Sequence, residues 1–64
     1  MKKITVLEDM GYGMFKTDAG TFLVDFAPDG HNQILVNEET GAGEYVIDSD
    51  ERGPDDEVLA FIVK

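Results

Sequence analysis

Carboxylates are the chemically equipped side chains that this sequence carries in number. Fourteen Asp and Glu stand against five Lys and Arg and one His, a formal net charge of −9 over 64 residues. Grouped carboxylates can move protons, hold divalent cations or present an anionic surface, and their spacing decides which. Glu38-Glu39 could in principle do acid–base work. His31 stands alone after the turn Pro28-Asp29-Gly30, and no Ser or Thr is placed by any pattern to serve as its nucleophile. The chain is short for a core plus a substrate-sized pocket, so no enzyme is expected and no catalytic residue is assigned. Asp48-Ser49-Asp50-Glu51-Arg52-Gly53 opens like a calcium loop, with oxygen ligands at the first and third positions and Gly at the sixth. Arg52 and Leu59 stand where a further ligand and the bidentate Glu belong, so specific calcium binding is disfavoured. No metal and no cofactor is implied. Gly11-x-Gly13 and Gly41-x-Gly43 lack the third Gly of a dinucleotide fingerprint and read as turns.

The third use, an anionic surface, fits the distribution. Residues 1–37 carry five acids and three bases, and residues 58–64 carry only Lys64. Residues 38–57 hold nine acids (Glu38, Glu39, Glu44, Asp48, Asp50, Glu51, Asp55, Asp56, Glu57) against the single base Arg52, a net −8. Interspersed signs serve solubility, whereas a block of one sign repels itself and sacrifices stability. Such a block suggests a basic partner, although a merely solvated face is the plain alternative. Alternate residues on a strand lie ~6.6 Å apart. Two nucleotide steps along one DNA strand rise ~6.8 Å, so strand-borne carboxylates can fall at phosphate-like intervals. A groove lined with Lys and Arg would find them complementary.

Composition narrows the partners. A chain this acidic does not bind nucleic acid or an anionic membrane directly, because a phosphate-binding surface must be basic. The absence of Cys excludes disulfides, thiolate metal sites and thiol nucleophiles. No apolar run reaches the ~18 residues of a membrane span. Met1-Lys2-Lys3 is not followed by a signal-peptide stretch, and a soluble, cytoplasmic chain is expected.

These side chains must be positioned by strands. The pattern is one of short β-prone runs between turn residues: residues 3–7, extendable to Met10; 14–17; 21–26, whose alternation puts Phe22, Val24 and Phe26 on one face; 33–37; and 44–48. Asp18-Ala19-Gly20 reads as a tight hairpin with Gly20 at positive φ, and Pro28-Asp29-Gly30 as a turn. Residues 49–57 read as an acidic loop. The run 58–63 reads as a closing strand, with a short helix after Pro54 as the alternative. The expected fold is a single all-β domain, a small antiparallel meander of five to six strands. It either closes as a barrel or packs its apolar face on a second copy. The folded chain should expose roughly 4,000 Å².

Two stretches resemble the acidic, phage-type inhibitors of uracil-DNA glycosylase. In that family an edge strand carries a Glu-Ser-Ile-like tripeptide after an apolar β run, and here Ile4-Thr5-Val6-Leu7 is followed by Glu8-Asp9-Met10. Glu8 matches the Glu; Asp9 and Met10 replace the other two. Asp55-Asp56-Glu57-Val58-Leu59-Ala60-Phe61 looks like the family's acidic turn leading into an apolar pocket-forming strand. The match covers about a quarter of the chain, and the helical N-terminal segment of the best-known members is absent.

The resemblance implies a stoichiometric inhibitor that mimics DNA and occludes the basic groove of a nucleic-acid enzyme, with uracil-DNA glycosylase the first target to test. Glu8 and Asp9 would meet the groove's donors, and the acids of 38–57 would occupy phosphate sites. Met10, Val58, Leu59 and Phe61 would supply an apolar anchor. Such a protein works in the cytoplasm, that of the host if phage-encoded. The competing reading is a small β structural or assembly module, a barrel or a homodimer, whose acidity serves solubility.

Overall fold

The computed structural model describes residues 1–64. Six strands follow one another as β1 (Lys2–Gly11), β2 (Met14–Thr17), β3 (Gly20–Phe26), β4 (Gln33–Asn37), β5 (Gly43–Arg52) and β6 (Val58–Val63). Each pairs antiparallel with the next, and β6 pairs back with β1, so the meander closes into a barrel with no helix. The run after Pro54 is therefore strand, because Val58 to Val63 bond to β5 on one side and to β1 on the other. Closure lets the chain bury its apolar face without a second copy. The accessible surface is 4207 Å², as the mass scaling anticipates.

The interior is filled from every strand except β5 by fully covered side chains: Ile4, Phe15, Phe22, Leu35, Phe61 and Val63. Tyr45 and Ile47 of β5 pack against them half-buried, as do Val6, Val24 and Val58. Phe15 and Phe61 meet edge to face at 5.1 Å, and Phe22 and Tyr45 at 5.8 Å, the arrangement that ring quadrupoles favour. The one buried polar side chain, Thr17, is satisfied: its hydroxyl donates to the Gly20 carbonyl at 2.6 Å and accepts the Ala19 N–H at 3.1 Å. That bond pair holds the two-residue turn before Gly20, whose φ of 120° is open only to glycine at low strain.

Bulges shape the barrel more than the strand count does. β1 pairs with β6 through Lys2–Thr5, then with β2 from Val6 onward. Register shifts leave Leu7 and Met10 without partners on β2, and Leu59 without one on β5. β5 does the same in reverse, pairing with β4 up to Val46 and with β6 from Ile47, with Glu44 and Asp48 as its extra residues. A bulged residue bends the strand and re-aims its side chain. The long strands β1 and β5 are the corners at which the sheet turns.

Two expectations need correcting. Residues 49–52 are not loop but the second half of β5, because Ser49, Asp50, Glu51 and Arg52 each register against β6. The loop between β5 and β6 is only residues 53–57. Phe26 does not share the core with Phe22; it ends β3 and is 63% exposed, since alternation buries a residue only where strands on both sides cover it.

Candidate functional site

The nine acids of 38–57 follow β5 and its two flanking loops. Because strands alternate in direction, the loops after β1, β3 and β5 emerge at one end of the barrel and those after β2 and β4 at the other. Glu38 and Glu39 therefore lie at the opposite end from Asp55, Asp56 and Glu57. Glu44, Asp48, Asp50 and Glu51 are strung between them on the ten residues of β5. At about 3.3 Å per residue the contour of that strand is ~30 Å, comparable with the 32 Å long dimension of the molecule. The block is thus a lengthwise strip and not a compact patch.

Little of that charge is neutralised. Arg52 takes Asp50 at 3.1 Å and Asp56 at 3.4 Å, and Lys3 takes Glu51 at 3.0 Å. The other six acids of the strip have no cation within ion-pairing distance. Their hydrogen bonds are local. Asn37 Nδ2 donates to Glu44, and the Asp55 N–H donates to Glu57 Oε2 at 2.9 Å. No group of three His, Asp or Glu side chains converges as a metal shell. The residues that open like a calcium loop, 48–53, lie almost wholly on a strand, and Arg52 takes the Asp50 carboxylate.

The remaining sequence-derived candidates fall on the β1 side. Glu8 registers against Lys16 and Asp9 against Phe15, so they sit on the strand beyond β6 rather than beside the strip. Met10 is 47% exposed and Leu59 45%, both projected by bulges, and Leu7, which sequence reasoning passed over, is 61% exposed for the same reason. Val58 is half-buried against the core. Phe61 is 4% exposed and packs edge to face on Phe15, so it is a core residue that offers a partner little of its ring, and only within the cleft described below. Comparison with protein-family models, curated proteins and solved structures finds no match.

One feature was invisible in the sequence. A cleft of about 520 Å³ opens where β5 leaves β4, although no pocket was expected in so short a chain. Phe26, His31, Asn32 and Gln33 line one side, and Asp48, Ser49 and Asp50 the other. Ile47, Phe61 and Lys64 also line it. The loop on the first side is fastened by Asp29, whose Oδ1 accepts the N–H groups of His31 at 2.9 Å and Asn32 at 3.2 Å. Oδ2 takes Asn32 Nδ2 at 3.0 Å. These bonds, the His31 amide first, hold the Asp29 carboxyl below its ordinary pKa of 3.8.

Proposed function

We propose that this protein is a stoichiometric inhibitor that mimics DNA and occludes the basic groove of a nucleic-acid-binding enzyme, with uracil-DNA glycosylase the first target to test. The observation that carries the reading is the strip of exposed carboxylates on β5 and its two flanking loops, six of them without a cationic partner. Anions held on a strand and the turns at its two ends are closer in form to a phosphate backbone than a flexible acidic tail is. The strip's backbone is already folded, which lowers the ordering entropy of binding, and its field speeds encounter with a basic groove. Leu59, exposed on the adjacent β6, and Leu7 and Met10, exposed on β1 beyond it, would give contacts that persist in salt. No catalytic role is assigned to any residue.

The experiment is titration of uracil-DNA glycosylase with this protein while uracil excision is followed. Activity should fall linearly to zero near one equivalent. Undiminished excision at several-fold excess removes that target, and a lack of affinity for any basic-groove enzyme removes the class.

A second reading, a structural or assembly module, is favoured by the outer face of the sheet. Met14, Leu23 and Val36 are cross-strand neighbours on β2, β3 and β4, and Ile34 and Val46 form the next row. All five are half-buried only. Sedimentation showing a tight dimer with no affinity for basic proteins would choose this reading over the first.

A further inference from the structure

The cleft beside β5 has a property that its volume does not convey: one of its walls is an unpaired strand edge. β5 pairs with β4 only through Gly43, Tyr45 and Val46, and from Ile47 onward only with β6. Across the cleft, Phe26 and Gln33 pair with each other and with nothing on β5. No turn, loop or side-chain hydrogen bond reaches the backbone of residues 48–52 from that side. Backbone N–H and C=O groups in such a row are a template for another strand.

We propose that this cleft receives an extended, basic peptide segment of a partner protein, added as a strand along residues 48–52 of β5. The chemistry points to that occupant. Main-chain groups of the edge supply the ladder bonds, and side chains at alternate positions of the peptide reach the walls. Asp48, an extra residue pushed out by its bulge, has no cation within ion-pairing distance and is positioned to take a guanidinium or ammonium group. Asp50 is its neighbour on the same wall, shared with Arg52. The exposed ring of Phe26 opposite offers a face on which a guanidinium stacks. Lys64 and His31 also line the cleft, so it is not a general sink for cations: the acceptors lie on the β5 wall, where an added strand would run. An acidic peptide would be repelled by the field of a molecule carrying −9, and a neutral one would bring no partner for Asp48. The cleft volume lies within the ~300–1,000 Å³ typical of binding sites.

The inference does not rest on nucleic-acid mimicry. A glycosylase could be inhibited without using this cleft, and a peptide could fill it in a protein that inhibits nothing.

The test uses the whole chain, isotope-labelled, and a short synthetic peptide alternating arginine and valine. Amide shifts on titration should saturate and concentrate at Phe26, His31, Gln33, Asp48, Ser49 and Asp50. N-methylating the peptide backbone at alternate residues, on the face that would meet β5, should weaken binding about tenfold, the effect of losing one or two hydrogen bonds. Methylation on the opposite face should leave it unchanged. Asp48→Asn should weaken the parent peptide severalfold while leaving the spectrum of the free protein intact elsewhere. The proposal is overturned if shifts concentrate at Glu38 and Glu39 or at Asp55, Asp56 and Glu57. It is equally overturned if both methylated peptides bind as well as the parent, since charge alone would then explain association, or if no shift occurs at millimolar peptide.

Discussion

Lys3 Nζ lies 3.0 Å from Glu51 Oε1, so a base on β1 reaches an acid on β5 across the whole width of β6. Ala60, between them in register with Thr5 and Glu51, is 1% exposed although it faces outward with its exposed neighbours. The pair neutralises part of the acidic strip. Its side chains are about half exposed, so the ion pair itself contributes at most ~1 kcal/mol. Lys3→Met should keep the aliphatic stem and lose the charge, lowering stability by under ~1 kcal/mol at low salt and by less at high salt. Denaturant melts at two salt concentrations would measure both.

The strip's self-repulsion predicts a stability that rises with salt. At ~10 mM salt the Debye length is ~30 Å, so nine excess negative charges on a molecule 32 Å long all feel one another, whereas above ~0.1 M it falls below ~10 Å and most are screened. The melting temperature should climb by several degrees between ~10 mM and ~0.5 M sodium chloride, a change of order 1 kcal/mol for a domain this size. A flat profile would show that the acids are far enough apart not to feel one another.

Phe61 distinguishes core from contact. As the ring that packs edge to face on Phe15 inside the barrel, it should cost ~3–5 kcal/mol when cut to Ala. That loss would leave a 64-residue domain largely unfolded at 25 °C by circular dichroism. Leu59→Ala, its half-exposed neighbour, should cost ~1 kcal/mol or less.

Asp29 sets a local pH response. Its carboxyl is held below 3.8 by bonds that only the folded loop offers, so its contribution to stability is complete above the ordinary value. It is lost as pH falls through the folded value, below 3.8. A carbon-detected titration should place the Asp29 midpoint below that of free aspartate. Protonation should raise amide exchange at His31 and Asn32 before it disturbs β2 or β6.

Tyr12 reports on strain. It is fully exposed with φ of 56°, between Gly11 at 81° and Gly13 at 79°. An aromatic residue gains nothing from that left-handed conformation, whereas Asn tolerates it well. Tyr12→Asn should leave stability unchanged or raise it by up to ~1 kcal/mol in denaturant melts. A large loss would mean that the ring packs on the barrel.

The strand pattern was legible because it is local. β-branched and aromatic runs between Gly, Pro and Asp turns place β2, β4 and β6 within their observed bounds, and Gly20 takes the positive φ its turn demands. The charge imbalance of residues 38–57 is likewise a property of the chain alone. The functional geometry was not legible, because it depends on bulges. Whether Leu7, Met10 and Leu59 project, whether Asp48 is free, and where β5 parts from β4 are decided by how strands of unequal length close a barrel, when one extra residue shifts the register of those that follow. Only the closed fold buries Phe61 and exposes Phe26, two residues that look alike in a linear reading, since burial is a matter of what the neighbouring strands cover.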